Sequence, residues 1–402
     1  MTAQKPALDT SAHIEDLFES LVAFRRELHA DPELSFEEFR TTDRIVEALE
    51  KAGLEPQRLQ DTGAYVDIGE GPFAIGLRAD IDALPVTEVT GLEYASKNKG
   101  VAHACGHDVH TTVMLGVALV LHRLNQEGKL NARVRVIFQP AEEKMPGGAK
   151  KVIKQGIIDS LPRLAALHCE PRILAGRVGT RIGAITSASD TIRIRLHGRG
   201  GHTSRPHLTE DLVYAMAQIA LGVPAVLSRR IDVRSAVSVV WGQISAGNAP
   251  NAIPAFGTLS GTMRCLDAGA WDQAGELLDQ VIKQVAAPYN VEVEVDHIRG
   301  VPPVVNAESE TALIEEAARQ EIGGEAIELM PQSMGGEDFA WMTMRKPGVL
   351  MRLGTRRPGG PVYDLHQGDY NPDESAIKTG VAVMTRAALL AADEAAQKAQ
   401  EQ

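Results

Sequence analysis

The sequence predicts an α/β fold with a mostly parallel central sheet, into which a smaller α+β domain is inserted. Two observations lead to this fold class. Apolar strand-like segments alternate with amphipathic helical segments over residues 1–186 and again over 299–402, an order typical of a parallel sheet covered by helices. Residues 187–298 instead follow the order β-α-β-β-α-β of a ferredoxin-like unit. We therefore expect a discontinuous first domain, 1–186 and 299–402, and a compact inserted domain, 187–298.

Length and composition are those of a globular protein with two domains. The chain has 402 residues, of which 44% are hydrophobic and 23% are charged. A formal net charge of −12 disfavours a nucleic acid as the main partner, since phosphate binding requires a basic face. The first residues lack the pattern of a signal peptide, and no run of about 18 apolar residues predicts a membrane span. We expect a cytoplasmic protein whose three cysteines, Cys105, Cys169 and Cys265, are ligands or core residues and not disulfides.

Helical and strand periodicities place the elements of the first domain. Segment 36–52 repeats apolar positions at helical spacing and stops at Gly53, a residue suited to the position after a helix. Segment 73–82 is apolar until charge appears at Arg78, and the ends of such strands are where open α/β sheets place their sites. The predicted helices span 13–29, 36–52, 108–125, 148–155, 308–322 and 373–396, and the predicted strands span 65–68, 73–82, 133–139, 164–167 and 349–353.

The inserted domain carries its own group of polar residues. Its glycine-rich loop, 198–206, contains His202, while Asn251 and Arg264 lie on or beside two paired strands. Each could be an ordinary surface residue, but together such cations and amide donors could hold a substrate carboxylate and an oxyanion. The predicted strands of this domain span 190–197, 235–245, 254–264 and 291–298, and its predicted helices span 208–230 and 268–287.

Residues 103–110, HACGHDVH, concentrate groups that bind metal ions. Cys105 and His107 alternate around Gly106, so an extended backbone would point both side chains the same way. A thiolate and an imidazole that converge on one point suit zinc or a related transition metal. The alternative is a polar loop that caps a helix at Asp108. With twelve histidines in the chain, three in eight residues fit chance poorly, which favours the metal.

Further candidate ligands follow later strands. Glu142 and Glu143 are adjacent after one strand, so one could bind a metal while the other acts as a general base on water. In isolation, two surface glutamates would be the simpler interpretation. Together with the earlier pair, the candidate ligands number five: Cys105, His107, Glu143, His168 and His366. Five ligands are more than one tetrahedral ion uses, and they suit two ions about 3.5–4 Å apart.

A competing interpretation makes Cys105 the nucleophile of a Cys-His hydrolase. Such an enzyme needs a base and an orienting group, but it has no use for a carboxylate pair and further histidines. The surplus of ligand-type residues makes this the weaker alternative.

With these residues and motifs, the chain resembles the aminoacylase-like, two-metal amidohydrolase and peptidase family. That family includes hippurate hydrolases, N-acyl-amino-acid hydrolases and auxin-conjugate hydrolases. The resemblance is spread in order over nearly the whole chain, and HACGHD together with PAEE is its most specific part. The motifs are LRADIDALP (77–85), HACGHDVHTT (103–112), FQPAEE followed by PGGA (138–149), LHCEP (167–171), GRGGHTSRPH (198–207), GNAPNAIP (247–254), GTMR (261–264), GGEDFA (335–340) and LHQGDYNPDE (365–374).

The resemblance implies a metallopeptidase-like catalytic domain that holds two divalent ions (zinc, manganese, cobalt or nickel) on the five candidate ligands, with Cys105 as the bridge. It implies that Glu142 activates water and later protonates the leaving amine. It also implies that the insert is a lid and dimerisation domain whose His202 stabilises the oxyanion in the partner's site. Asp80 would orient a ligand imidazole, and Arg78 stands where distant relatives have a metal-binding histidine. The residues implied to bind substrate are Asn251, Arg264, Gly335 and Gly336.

The function that the resemblance implies is hydrolysis of N-acyl amino acids, such as hippurate-like, N-acetyl or N-aroyl compounds, to a carboxylic acid and a free amino acid. Alternatives in the same family are a dipeptidase or carboxypeptidase and an N-acetyl-diaminopimelate-type deacetylase. An alternative of another class is a catalytically silent metal-binding scaffold. The chain departs from many relatives at residues 144–146, Lys-Met-Pro, and at Thr203 and Ser204, so the acyl group is the least determined part of this prediction.

Overall fold

A computed structural model describes residues 8–401 and shows the alternation of strands and helices that the sequence predicts. The strands are β1 (Gln57–Arg58), β2 (Ala64–Ile68), β3 (Phe73–Asp80), β4 (Arg133–Gln139), β5 (Leu164–Leu174), β6 (Val178–Thr180), β7 (Gly183–Ala184), β8 (Ala188–His197), β9 (Gly201–His202), β10 (Ser238–Ala246), β11 (Ala252–Ile253), β12 (Phe256–Cys265), β13 (Glu292–Val301), β14 (Val305–Asn306), β15 (Ile327–Leu329) and β16 (Gly348–Arg356). The α-helices are α1 (Ser11–Ala30), α2 (Phe39–Lys51), α3 (His107–Gln126), α4 (Ala149–Lys154), α5 (Leu212–Arg230), α6 (Ala268–Ala286), α7 (Glu308–Ile322), α8 (Ala340–Thr343) and α9 (Ala376–Gln400).

The chain divides into two compact units. The first contains the chain up to Ile185, Val305–Pro331 and the chain from Trp341 onward, and the second contains Thr186–Val304 and Gln332–Ala340. The second unit is thus larger than the predicted insert, 187–298. It takes in the segment 332–340 because Ser187 donates hydrogen bonds to two carbonyls there, those of Gly335 and Met334.

The first unit is built on an eight-stranded sheet of order β1-β2-β4-β3-β5-β16-β6-β15. Its four central strands, β4, β3, β5 and β16, run parallel to one another, whereas β2 and β6 on either side of them run antiparallel. Register pairs Asp80 with Gln139 and His168 with Arg352. Because parallel strands end at the same edge of a sheet, polar residues near these ends are brought to one place.

Helix α3 presents the site residues from a rigid base. Its residues from Val109 to Ala118 are all buried, and the apolar ones among them join β3, β4, β5 and β16 in one apolar cluster with α1, α7 and α9. A helix buried on all sides over such a length belongs in a core. Since α3 begins at His107, its first turn is held by this packing.

Two predicted elements of the first unit differ from the observed ones in bounds that bear on the site. The predicted helix 36–52 begins only at Phe39, because Phe36 has a φ of 68°, which a right-handed helix excludes. The predicted strand 164–167 continues to Leu174, so His168 lies within β5 and not after it.

The second unit contains a four-stranded antiparallel sheet of order β10-β12-β8-β13. With α5 and α6, these strands complete the ferredoxin-like order β8-α5-β10-β12-α6-β13. A separate two-stranded ribbon pairs β9 with β11.

Helix α5 bears on the expectation that the chain has no apolar run long enough to span a membrane. By length and composition alone, Leu212–Arg230 is long and apolar enough to do so, and core helices of soluble proteins pass the same test. One face of α5 is buried within the second unit, through Leu212, Met216, Ile219 and Val223 among others. The sequence expectation concerned an uninterrupted apolar run, and small and uncharged polar residues interrupt this helix.

Candidate metal centre

The five candidate ligands lie in the first unit. Cys105 Sγ lies 3.4 Å from His168 Nε2, and Glu143 Oε1 lies 3.4 Å from His366 Nε2. Within each of two groups, the donor atoms lie within 4.8 Å of one another. One group is Cys105, His107 and His168, and the other is Cys105, Glu143 and His366. Cys105 belongs to both groups, which is the arrangement that a bridging ligand between two ions requires.

Gly106 allows the chain to bring Cys105 and His107 into this position. It has a φ of 85°, a conformation that favours glycine, and it immediately precedes α3. A Cβ atom at this position would lie 2.8 Å from Cys169 Sγ. The backbone therefore approaches β5 more closely than any other residue would permit.

His168 is held in one orientation by its own strand. Its Nδ1 donates to the carbonyl oxygen of Cys169 at 2.8 Å, since a carbonyl can only accept. The neutral ring then carries its lone pair on Nε2, the atom that faces Cys105. A donor bond on one nitrogen that leaves the other free to bind is typical of metal-ligating histidines.

His107 is oriented by Asp82, which was not among the residues predicted from the sequence. Its Nδ1 lies 3.2 Å from Asp82 Oδ1, while Ser35 Oγ and the backbone N–H of Glu143 donate to Asp82 Oδ2 at 2.7 and 3.0 Å. Among residues 8–401, His107 Nε2 has no hydrogen-bond partner although it is buried. A buried ring nitrogen in this situation fits a metal ligand.

Asp80, predicted to orient a ligand imidazole, makes its side-chain hydrogen bonds to residues outside the predicted ligand set. Its Oδ1 lies 2.5 Å from Nδ1 of His110, which is not a predicted ligand, and its Oδ2 accepts from Arg78 at 2.7 Å. His110 Nε2 in turn accepts from the backbone N–H of Cys169 at 2.7 Å. Asp80 thus acts on His168 only indirectly, through the Cys169 peptide. Both aspartates lie in the motif LRADIDALP, but the sequence could not show which imidazole each carboxylate contacts.

The electrostatics of this cluster favour a bound cation. Burial by itself lowers the pKa of His107, yet the charges and hydrogen bonds of Asp80, Asp82 and Glu143 raise it to about 10. Burial, with the charges of Glu143, Glu142 and Asp80, holds the pKa of the Cys105 thiol well above its usual range. A thiol in such surroundings is a poor nucleophile by itself, which weighs against the Cys-His hydrolase. The sulfur, imidazole and carboxylate donors fit zinc and neighbouring divalent ions.

Glu142 is buried next to these donors. Within the group His107, Glu142 and Glu143, the donor atoms again lie within 4.8 Å of one another. The residue before them, Ala141, has a φ of 55°, and His366 has a φ of 64°. Positive φ in residues other than glycine is strained and is found preferentially at functional sites. His366, predicted to follow a strand, instead lies in a loop whose position is fixed by its N–H donating to Ala104 O at 2.8 Å.

In the second unit, His202 lies on the two-stranded ribbon, and Asn251 immediately precedes its second strand. His202 pairs with Ala252, and the carbonyl of Asn251 accepts from the N–H of Thr203 at 3.2 Å. The ring of His202 is exposed, and its Nδ1 accepts from the backbone N–H and the hydroxyl of Ser204 at 3.1 and 2.8 Å. A backbone N–H can only donate, so the neutral ring carries its proton on Nε2. His202 therefore presents an N–H donor to solvent.

The remaining predicted substrate-binding residues form another group in the second unit. Arg264 donates from Nη1 to the carbonyl of Met334 at 2.7 Å. A Cβ on Gly336 would lie 3.0 Å from Val301 and 3.1 Å from Ser189, so this glycine permits close packing on β8 and β13. Gly335 accepts from the N–H of Ser187. These contacts give the two glycines a packing role in addition to any contact with substrate.

Comparison with known proteins identifies the family. The model of peptidase family M20/M25/M40 matches residues 76–390. The chain belongs to this family. It is 37% identical to an N-acetyl-L-cysteine deacetylase of Bacillus subtilis, over 91% of this chain and 86% of that one. The crystal structure of a dinuclear metal binding peptidase of the M20 family, from Bacillus subtilis, superposes with a TM-score of 0.81 at 31% identity, covering 94% of this chain and 99% of that one.

A further relative is longer than this chain. A Rhodococcus jostii protein that bears the name of a glutamate–cysteine ligase is 46% identical over 90% of this chain, and the chain spans 45% of its length. Membership of the M20/M25/M40 family and the deacetylase relative together make the protein a metal-dependent amidohydrolase. The α/β fold with its second α+β unit is likewise that of the family's solved structures.

Proposed function

We propose that the protein hydrolyses the amide bond of N-acyl amino acids, giving a carboxylic acid and a free amino acid. The observation that carries this proposal is the meeting of five metal donors with a sixth, buried acidic residue, Glu142, in one cluster. A scaffold that only binds metal has no need of the additional carboxylate. The relative named for deacetylation of N-acetyl-L-cysteine supports a substrate of this class.

The proposed cofactor is a pair of divalent ions on Cys105, His107, Glu143, His168 and His366, with Cys105 shared between them. Thiolate and imidazole favour zinc, while the carboxylate also accepts manganese, cobalt or nickel. When bound, such ions polarise a carbonyl and lower the pKa of water. The residues of the chain provide the remaining steps of the reaction.

Glu142 is the proposed general base. It lies beside Glu143 on a turn and not on a helix, so the two carboxylates can point in different directions. Glu142 takes a proton from the attacking water and returns it to the leaving amine nitrogen. A carboxylate that is already desolvated in this cluster exchanges the proton over a short distance without rearrangement of water.

The second unit supplies the proposed contacts to substrate. His202 donates from Nε2 to the oxyanion that develops on the amide carbonyl, a role that its hydrogen bonds to Ser204 support by fixing the tautomer. Asn251 and Arg264 bind the free carboxylate of the amino acid, with Gly335 and Gly336 beside them. We further propose a cytoplasmic homodimer formed through the second unit, with His202 acting in the partner's site.

The test is turnover of a panel of N-acyl amino acids, with products identified by mass spectrometry. Glu142→Ala should retain both ions yet lower kcat by about 100- to 10,000-fold, because the proton transfer is lost. Chelation should silence the wild-type protein, and Mn²⁺, Co²⁺ or Zn²⁺ should restore it. Wild-type turnover by Glu142→Ala would refute the role of Glu142, and activity that survives chelation but not alkylation would favour a Cys105 nucleophile.

A further inference from the structure

The buried carboxylate of Glu38 contacts the turn that carries Glu142 and Glu143. Glu38 precedes α2, more than a hundred residues earlier in the chain, and its side chain is inaccessible to solvent. Its Oε1 accepts a hydrogen bond from the backbone N–H of Ala141 at 2.7 Å. Its Oε2 accepts from the hydroxyl of Thr62 at 2.8 Å. Both oxygens are therefore bound by donors from different parts of the first unit.

The turn that Glu38 contacts is a strained one. Ala141 has a φ of 55°, in the left-handed region that alanine seldom adopts. Its carbonyl accepts from the N–H of Gly148 at 2.8 Å, and a Cβ on Gly148 would lie 1.9 Å from the carbonyl oxygen of Pro140. Both polar groups of Ala141 are thus fixed, one by Glu38 and one by Gly148. A strained residue persists only where its surroundings determine it in this way.

The same short segment also reaches the other side of the metal cluster. We call residues 35–38 the brace. Ser35 at its start donates to Asp82 Oδ2 at 2.7 Å, and Asp82 orients His107. Phe36 within the brace has a φ of 68°, which is unusual for a bulky residue. The brace therefore contacts both the support of a ligand imidazole and the turn that presents the two glutamates.

Burying a carboxylate to make these contacts costs free energy of folding. Burial, and then the charge of Asp82, raises the pKa of Glu38 to about 7. A neutral side chain of similar shape would cost less free energy of folding at this position. Titratable groups that are buried despite such a cost are found preferentially at functional sites, where geometry matters more than stability.

We propose that Glu38 is a positioning residue of the reaction, which fixes the Ala141 peptide so that Glu142 and Glu143 face the metal ions. It touches neither substrate nor ion and acts through the backbone of the turn. This inference rests on the proposed function of Glu142 and Glu143. It adds that catalysis requires Glu38 as well as the metal ligands.

Three variants separate the parts of this role. Glu38→Ala removes the acceptor of the Ala141 N–H. Glu38→Gln keeps it, because the amide oxygen can accept from Ala141 while the amide N–H donates to the hydroxyl of Thr62. Thr62→Val removes only the second contact and nearly preserves shape. The exposed neighbour Glu37→Gln is the matched control for a change of charge on the brace.

We expect Glu38→Ala to lower kcat at least about tenfold, because displacement of a reacting group by a fraction of an ångström has effects of this size. KM should change less than kcat, since the turn holds catalytic groups. Glu38→Gln should stay within about threefold of wild type, Thr62→Val should fall between the two, and Glu37→Gln should match wild type. Hydrogen exchange by mass spectrometry should show faster exchange in the peptide containing Ala141 for Glu38→Ala and not for Glu38→Gln. That readout does not depend on activity or on bound metal.

Two results would overturn the proposal. The first is a Glu38→Ala protein with wild-type kcat and unchanged exchange at Ala141. The second is an equal loss in Glu38→Gln and Glu38→Ala, which would assign the effect to charge and not to the accepted hydrogen bond. If Glu38→Ala does not fold, an unchanged kcat and unchanged exchange in Thr62→Val would count equally against it. Glu142→Ala, measured in parallel, distinguishes failure of this inference from failure of the proposed function.

Discussion

At the scale of single residues, the two aspartates after β3 show how position decides a role. Asp80 and Asp82 are separated by one residue, and both are buried next to imidazoles. Asp82 lies within hydrogen-bond distance of His107 Nδ1. Asp80 contacts His110 instead, and its Oδ2 lies 3.8 Å from His107 Nε2, as Glu143 Oε1 does. Of the two, Asp82 therefore has direct control over a proposed ligand.

Replacing Asp82 should weaken metal binding more than it lowers the stability of the fold. We expect Asp82→Ala to lower metal affinity about 10- to 100-fold, because His107 loses the partner that sets its tautomer and orientation. Competition with a chromogenic chelator measures this affinity. Asp43→Ala, at an exposed position on α2, is the control for loss of an acidic group. An unchanged affinity in Asp82→Ala would remove His107 from the ligand set or show that its orientation is fixed by packing alone.

At the scale of elements, the start of α3 depends on Gly106. We expect Gly106→Ala to lower the free energy of unfolding by more than about 1 kcal/mol, because a positive φ and a contact of 2.8 Å with Cys169 Sγ act together. Denaturant unfolding in the presence of chelator measures this without a contribution from metal. Gly128→Ala is the matched control, since Gly128 also has a positive φ but a Cβ there would meet no atom within 4 Å. Equal losses in the two variants would show that close approach to β5 is unimportant.

A buried ionic network joins α1 to α3 and to the loop after β3. Arg25 Nε and His29 Nδ1 lie 2.7 and 2.8 Å from Asp108 Oδ2, and His29 Nε2 lies 3.2 Å from Glu88 Oε1. Burial by itself raises the pKa of Glu88, but hydrogen bonds from His29, Thr90 and the backbone N–H of Ser96 lower it to about 2. The ionised form of Glu88 is therefore favoured in the folded protein.

This network predicts a pH-dependent contribution to stability. A carboxylate whose pKa falls from about 4.5 to about 2 on folding stabilises the fold above pH 4.5, and that stabilisation is lost as the pH falls toward 2. We expect Glu88→Gln to reduce the free energy of unfolding by about 1–2 kcal/mol at pH 6, since the group is partly screened by solvent. The difference from wild type should shrink steadily between pH 4.5 and the lowest pH at which both proteins fold. Chemical denaturation across this range measures it, and a difference that does not vary with pH would contradict the assignment.

The elements also show what could be predicted from the sequence. Periodicity placed the helices and strands around the metal cluster, since α3 and the central strands are long apolar segments with abrupt polar ends. It failed at Phe36, where an apolar residue at helical spacing instead takes a positive φ in the brace. The contact between Glu38 and Ala141 joins residues 103 positions apart, and no local pattern predicts it. Residue types thus indicated the donors, whereas the groups that hold them depend on tertiary packing.

At the scale of the whole molecule, the second unit carries exposed apolar residues that the monomer does not use. Strand β10 lies at one edge of its four-stranded sheet, and Val240 and Ile244 on it are 62% and 58% exposed. On α5, Leu221 is 72% exposed and Val213 is 51% exposed. An edge strand with apolar side chains is a template for pairing with another chain, and a two-fold dimer is the commonest closed solution.

These residues predict a homodimer that dissociates when charge is placed on them. Light scattering at micromolar concentration should give the mass of two chains for wild type and of one chain for the double variant Leu221→Glu, Ile244→Glu. A charge buried at an apolar interface is costly unless it is paired, and two glutamates cannot pair with each other across a two-fold contact. The double variant should lose kcat if His202 acts in the partner's site, because a single chain then lacks its oxyanion donor. A monomeric wild type would refute the dimer. A double variant that is monomeric and has full kcat would support the proposed interface, but it would show that His202 acts in the site of its own chain.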